Sequence, residues 1–173
     1  PVAWYQLDAG DSDPTIFLTY FIESIQRMVN PPTSLSIAIG QRAQAMLYHA
    51  DDGTSHQQVL TILLNELADI QDEACLLVLE DYHFIASPVV HELVNYMLEN
   101  MPPNFHILLS TRADPLFSLA RLRARGQLAE LRASDLRFRE DEVRGWMTRF
   151  IPDLTSENTN MLSEKTEGWA AGL

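Results

Sequence analysis

The chain has 173 residues, which is enough for one domain or for one domain and the start of a second. Its 24 acidic and 12 basic residues give a net charge of −12, which argues against a segment that grips DNA or an anionic membrane through its own field. The imbalance lies in residues 1–100, with 14 acidic and two basic residues, whereas residues 101–173 hold ten of each.

The single cysteine and the apolar runs predict a cytoplasmic protein without a membrane partner. Cys75 lies inside an apolar run, so no internal disulfide can form and the thiol is expected to act as a small buried hydrophobe. No apolar run reaches the roughly 18 residues of a membrane span, and no signal peptide is recognisable. The chain opens at Pro1 without an initiator methionine, as an excised piece of a longer protein would.

Strand and helix signals alternate along the first 132 residues. Asp13-Pro14 and Ser87-Pro88 are typical helix starts, and the proline pairs at 31–32 and 102–103 end the same two helices. In chain order we predict a strand at 2–7, helices at 14–30, 35–48 and 55–70, a strand at 75–80, a helix at 88–100, a strand at 105–110, a helix at 116–125 and a strand at 128–132. This alternation predicts an α/β fold with a parallel sheet and right-handed crossovers.

After residue 138 the sequence predicts helices only, over 140–150 and 156–164, with a new start at Gly168-Trp169. We therefore place a domain boundary near residue 138. Residues 1–138 form the α/β domain, and residues 139–173 begin a small helical module.

The apolar run that starts at Cys75 ends in two carboxylates, Glu80 and Asp81. Such a run predicts a strand buried on both faces in the middle of a parallel sheet. Ligands of open α/β sheets bind outside the carboxyl ends of the strands, where this pair could hold Mg²⁺ or orient an attacking water. An acidic turn that only keeps the loop solvated accounts for the short pattern about equally well.

Arg112 follows the next predicted strand and would reach the same edge of the sheet. The guanidinium fork matches phosphate oxygens, so this position suits an arginine that senses or neutralises a terminal phosphate. A loop arginine that pairs with Asp114 is the alternative.

Several sequence blocks resemble one family when they are taken in order. The blocks are 2–4, 7–8, 11–14, 77–85, 110–115, 119–128, 130–133, 135–138 and 166–173. Together they resemble the signal-transducing nucleotidases (STAND class) of the maltose-regulon activator type, which are large LuxR-type transcriptional regulators. The resemblance covers almost the whole chain and implies a P-loop NTPase-type sheet flanked by helices.

The resemblance also implies residue roles in an ATP-dependent switch. Glu80 and Asp81 would be the Walker B pair that holds Mg²⁺, with Asp81 in the catalytic position and Glu80 at the cofactor, and Arg112 would be the sensor arginine at the nucleotide. The intact regulator would bind ATP and Mg²⁺, and a distant helix-turn-helix domain would bind promoters. Other domains of the same regulator, and a second copy, are the partners this implies.

The chain departs from the family pattern in two ways. The first acid is usually Asp, whereas Glu80 is one methylene longer, which makes direct coordination of Mg²⁺ less assured. A Walker A phosphate loop is absent, because Thr159 and Glu164 stand where the only lysine, Lys165, would require glycines. In the family the loop precedes the first strand of this chain, and its own strand lies in mid-sheet.

The missing loop and strand have two expected consequences. The strand at 105–110 should have an unpaired edge, covered by the strand at 128–132, by another chain or by water. The chain alone should neither bind ATP tightly nor hydrolyse it, and no cofactor is expected on it. A different function class, a non-catalytic protein-interaction module with a decayed nucleotide site, stays open beside the switch.

Other site patterns are weak. The histidines show no metal-ligand spacing with one another or with Cys75, and a Gly-x-Ser-x-Gly motif is absent. His83 follows the acid pair and either contacts the site or has a structural role. Arg121, Arg123 and Arg125 could form a basic patch, but the net charge and the lack of interleaved aromatics favour a solvated face. We therefore expect no direct contact of this segment with nucleic acid.

Overall fold

A computed structural model describes residues 1–29, 39–48, 55–70 and 74–172 of the chain. The chain divides into two compact units, Pro1–Ser118 and Leu119–Leu173. The first unit contains the strands and the second is helical. The boundary that we predict near residue 138 lies inside the second unit and stays a prediction about functional domains. Among the described residues, no helix combines the length and the apolar character that crossing a bilayer requires.

The first unit is a parallel α/β structure, as the sequence predicts. Its elements are β1 (Val2–Gln6), α1 (Pro14–Val29), α2 (Gln41–Tyr48), α3 (His56–Ala68), β2 (Cys75–Glu80), α4 (Pro88–Asn100) and β3 (Phe105–Leu109). The described strands form one sheet in the order β1-β2-β3, and both pairings are parallel. The predicted central position of the strand that starts at Cys75 is therefore confirmed.

The predicted helix starts at Asp13 and Ser55 form through local hydrogen bonds, whereas the Ser87 side chain makes no capping bond to α4. The Asp13 carboxylate accepts from the backbone N–H groups of Thr15 and Ile16, at 2.8 and 3.0 Å, and so caps α1. Ser55 caps α3, and Gln58 reaches back to the backbone N–H of Ser55 to complete a capping box. Residue 30 of the predicted first helix and residues 35–38 of the predicted second helix lie outside the described residues.

Helices pack on only one of the two faces of the sheet among the described residues. Helices α1, α3 and α4 contact one another and pack on one side, which we call the covered face. Its buried side chains are Ala3, Tyr5, Cys75, Leu77, Leu79 and Phe105, and Ile107 and Leu109 on β3 are half-buried. The opposite side, the open face, carries Val2, Trp4, Leu76, Val78, Glu80, His106 and Leu108.

The open face is apolar and largely exposed on its outer strands. Val2 and Trp4 are each 62% exposed and Leu108 is 49% exposed, whereas Val78 on the middle strand is buried. Both connections between strands step in the same direction along the sheet, so crossovers of the same hand place their helices on the same side. The open face is therefore a consequence of the strand order.

The predicted strand at 128–132 is wrong, because residues 127–132 have no regular secondary structure. Helix α5 (Leu119–Ala124) is followed by a turn at Gly126, whose φ of +66° suits the residue after a helix terminus. Beyond it the Glu130 carboxylate accepts hydrogen bonds from Arg123, at 2.6 and 2.8 Å, and from Arg132. These bonds lower the pKa of Glu130 to about 2 and hold the segment in a charged loop.

The rest of the second unit consists of three further helices around a small core. They are α6 (Ala133–Leu136), α7 (Glu140–Met147) and α8 (Ser156–Thr166). Val143, Met147 and Thr159 are buried between them. The predicted helices over 140–150 and 156–164 are thus present, with the first ending three residues earlier and the second two residues later.

Two blocks of the family resemblance meet in this unit. The backbone N–H of Phe138 donates to the carbonyl of Gly168 at 2.7 Å, and the Arg137 guanidinium lies 5.7 Å from the centre of the Trp169 ring. A side chain at Gly168 would place its Cβ 2.5 Å from the Phe138 carbonyl oxygen. Gly168 also has a φ of +77°, so both its conformation and this contact require glycine.

Candidate functional site

The acid pair lies at the carboxyl end of the middle strand. Glu80 is the last residue of β2, and Asp81 follows it with φ 59° and ψ 35°, in the left-handed region that few residues other than glycine adopt. The chain then turns into a short 3₁₀ helix, Tyr82–Phe84. A backbone hydrogen bond of 2.9 Å from Tyr82 to the carbonyl of Ser110 fixes this turn to the end of β3.

Glu80 has a partner that sequence reasoning missed. The Trp4 indole N–H donates to Glu80 Oε2 at 2.8 Å across the open face. The strands run in register with Gln6 opposite Glu80, so Trp4 lies one pleat before the carboxylate on the same face. The sequence does show a side chain with a ring N–H on β1. Predicting that it reaches Glu80, however, requires knowledge of the register between β1 and β2.

Asp81 lies beside His83. The distance between Asp81 Oδ1 and His83 Nδ1 is 3.8 Å, which allows an electrostatic contact but is too long for a hydrogen bond. His83 Nδ1 is buried and has no hydrogen-bond partner among the described residues. This geometry is compatible with both roles considered for His83, a contact with the site and a structural role in the loop.

Arg112 lies in the turn after β3 and its side chain is exposed. The backbone N–H of Ser110 donates to Leu79 at 2.9 Å, so the turn begins at the edge that carries the acid pair. Within the described part of the chain, no hydrogen bond or ion pair joins Arg112 to Glu80 or Asp81. The structure thus places Arg112 at the predicted edge but does not bring it into contact with the acids.

Hydrogen bonds, some of them buried, connect β1 and the loop that follows it to this edge of the sheet. The Tyr5 hydroxyl donates to Asp11 Oδ1 at 2.6 Å, and Asp11 Oδ2 accepts from the backbone N–H of Asp8 at 2.7 Å. Burial, with the Asp11 carboxylate, raises the pKa of Tyr5 well above its ordinary value. Ser12 accepts a hydrogen bond of 3.0 Å from the backbone of Ala86, which ties the loop after β1 to the loop after β2.

A second buried pair anchors the turn that follows the acids. The Tyr82 hydroxyl lies 2.8 Å from His91 Nδ1 on α4, and both side chains are buried. Burial lowers the pKa of His91 and raises that of Tyr82. The turn is therefore anchored by buried contacts in the core.

The residues at this edge fit one side of a Mg²⁺ site. Mg²⁺ usually takes one or two carboxylates from the protein and the rest of its shell from water and phosphates, and Glu80 and Asp81 supply two. Among the described residues no group of three or more His, Cys, Asp or Glu could hold a metal by protein ligands alone. Two carboxylates at one strand end are therefore a donor set that Mg²⁺ accepts when water or another ligand completes its shell.

Comparisons with known proteins agree with the resemblance seen in the sequence blocks. No family model matches the chain. It is 30% identical over 173 residues to the HTH-type transcriptional regulator MalT of Serratia proteamaculans (strain 568). The chain is MalT-like. It is also 31% identical to MalT of Yersinia enterocolitica serotype O:8 / biotype 1B (strain NCTC 13174 / 8081), and each match covers 99% of the chain. The chain spans only 18% of the length of these MalT relatives.

Proposed function

We propose that this chain is the acidic-edge part of an ATP-binding switch domain in an HTH-type transcriptional regulator. The observation that carries the proposal is the similarity to MalT over 99% of the chain, joined to an acid pair at the carboxyl end of the central parallel strand. In this proposal ATP binding favours an active state of the regulator, and DNA is bound by another part of the longer protein.

The proposal gives each edge residue a chemical task. Glu80 and Asp81 would hold Mg²⁺, which when bound neutralises phosphate charge. Asp81 would also orient the attacking water, because its carboxylate is partly exposed and lies next to His83. Arg112 would contact a terminal phosphate, since its exposed guanidinium can donate two parallel hydrogen bonds to phosphate oxygens.

The open face and the free side of β3 support the view that further segments complete this domain. Among the described residues β3 pairs with β2 alone, so the backbone groups on its other side have no strand partner. The exposed apolar side chains of the open face, Trp4 among them, also lack cover. A phosphate-binding loop and its strand would have to come from outside this sequence.

The test is calorimetric titration of ATP with Mg²⁺ into the full-length protein and into the 173-residue chain. We expect binding by the full-length protein only. Asp81→Asn should lower ATP hydrolysis at least about tenfold. The matched control is Asp69→Asn, which removes the same charge from an exposed residue at the end of α3, before β2 begins, and should leave hydrolysis unchanged.

A non-catalytic interaction module is the second candidate, and the exposed apolar open face favours it. In that case Glu80 and Arg112 have structural roles only. The same titration separates the two functions, because absence of ATP binding by the full-length protein would contradict the switch and leave the interaction module. Equal hydrolysis by the wild type and Asp81→Asn would also contradict the assigned role of Asp81.

A further inference from the structure

We infer that Trp4 is a positioning residue that orients the Glu80 carboxylate for a cation. The inference rests on the proposed function, because the cation is the Mg²⁺ that would accompany ATP. Trp4 lies on β1 and belongs neither to the acid pair nor to the proposed phosphate contact of Arg112.

The geometry leaves Glu80 few ways to move. Its backbone carbonyl accepts from the N–H of Leu7 at 3.0 Å, so the backbone of the residue is fixed to β1. The remaining freedom is in the torsions of the side chain, which is long and flexible for a metal ligand. The hydrogen bond of 2.8 Å from Trp4 Nε1 to Oε2 restricts these torsions and leaves Oε1 for another partner.

The chemistry of the indole suits this task. Trp offers one N–H donor, no acceptor and no charge. A Lys or Arg at the same place would neutralise the carboxylate and compete with the cation, whereas the indole orients the carboxylate and leaves its negative charge. Mg²⁺ demands near-ideal octahedral geometry, so it benefits from a ligand whose orientation is fixed in advance.

Within the described part of the chain, little of the Trp4 side chain is packed. The side chain is 62% exposed on the open face, while its neighbours Ala3 and Tyr5 on the same strand are buried. A tryptophan in this position contributes little buried area, and an exposed apolar residue of this size is costly to solubility. Its side-chain hydrogen bond to Glu80 is the specific contact that Trp4 makes on the open face.

The experiment measures the Mg²⁺ preference of ATP binding by the full-length protein. This preference is the ratio of the ATP dissociation constant in EDTA to that in Mg²⁺, both from calorimetry at pH 8. Trp4→Phe keeps an apolar ring but removes the donor, and should lower the preference about tenfold with little change in EDTA. Trp4→His should restore most of it, because His Nε2 takes the place of Nε1 in a five-membered ring and donates when the ring is neutral.

A double-mutant cycle tests whether Trp4 acts through Glu80. In a Glu80→Ala background, Trp4→Phe should have no further effect on the Mg²⁺ preference. An unchanged preference in Trp4→Phe would overturn the inference while leaving the switch function intact. An equal loss of affinity in EDTA and in Mg²⁺ would show a general structural role and also overturn it. No ATP binding by the wild type would remove the proposed function and this inference with it.

Discussion

Neighbouring aromatic residues on β1 make the same kind of hydrogen bond on opposite faces of the sheet. Tyr5, 6% exposed on the covered face, donates to Asp11 at 2.6 Å, and Trp4, 62% exposed on the open face, donates to Glu80 at 2.8 Å. Burial makes the first bond part of the core, because its loss would leave a buried carboxylate with one partner fewer. Exposure leaves the second carboxylate within reach of a ligand. The covered face thus contributes to stability, whereas the open face leaves the Glu80 carboxylate accessible.

The largest expected difference in stability between the faces comes from replacing one leucine on each face by alanine. Leu77→Ala removes a fully buried side chain from the covered face and should lower the free energy of unfolding by about 2–5 kcal/mol. Leu108→Ala, in the adjacent strand on the open face, should change it by at most about 0.5 kcal/mol. Urea denaturation of the 173-residue chain measures both. Similar losses for the two variants would mean that the open face is packed in solution.

The second prediction concerns the two aromatic donors. Tyr5→Phe should cost about 1.5–3 kcal/mol of stability, since the lost hydrogen bond is buried and its acceptor is a carboxylate. Trp4→Phe is the matched control on the next residue, with an expected cost within about 0.5 kcal/mol. Thermal and urea unfolding of the two variants provide the comparison. A larger cost for Trp4→Phe would make Trp4 a structural residue and contradict the contrast between the faces.

The smallest expected effect is a change of folding stability with pH, which we attribute to the buried His91. His91 is buried and its pKa is lowered, so the unfolded chain binds a proton more readily than the folded chain. Its contribution to stability is present above the ordinary His pKa of about 6.5 and is lost as the pH falls through the lowered folded-state pKa.

Unfolding experiments between pH 8 and pH 5 should therefore show a smaller loss of stability in His91→Gln than in the wild type. Tyr82→Phe removes the hydroxyl that lies 2.8 Å from His91 but keeps the buried imidazole, so it should retain the pH dependence. The same pH profile for His91→Gln and the wild type would show that another group is responsible.

Local signals predicted most of the fold. The caps at Asp13 and Ser55 and the prolines at helix starts are properties of a few adjacent residues, so they can be recognised without tertiary information. The apolar run that starts at Cys75 was enough to predict the central strand. The strand predicted at 128–132 failed because Glu130 pairs with arginines on both sides, and such pairs override a short apolar pattern.

The sequence predicted which residues lie at the candidate site. It did not predict the contacts that their side chains make. Strand ends placed Glu80, Asp81 and Arg112 at one edge, because parallel strands share a carboxyl side. Contacts could not be predicted in this way, since they depend on register and side-chain torsions. Arg112 accordingly lies at the edge without touching the acids, and Trp4 was missed because its link to Glu80 spans 76 residues of sequence.

The outer strands also have a consequence for the behaviour of the isolated chain. Neither β1 nor β3 contains a lysine, a proline or any acidic residue, which are common means by which edge strands avoid pairing with other molecules. Mutual repulsion from a net charge of −12 would then be the main barrier to association of two copies. Because salt screens that repulsion over about 10 Å at 0.1 M, the chain should stay dispersed at low ionic strength and self-associate as salt is added.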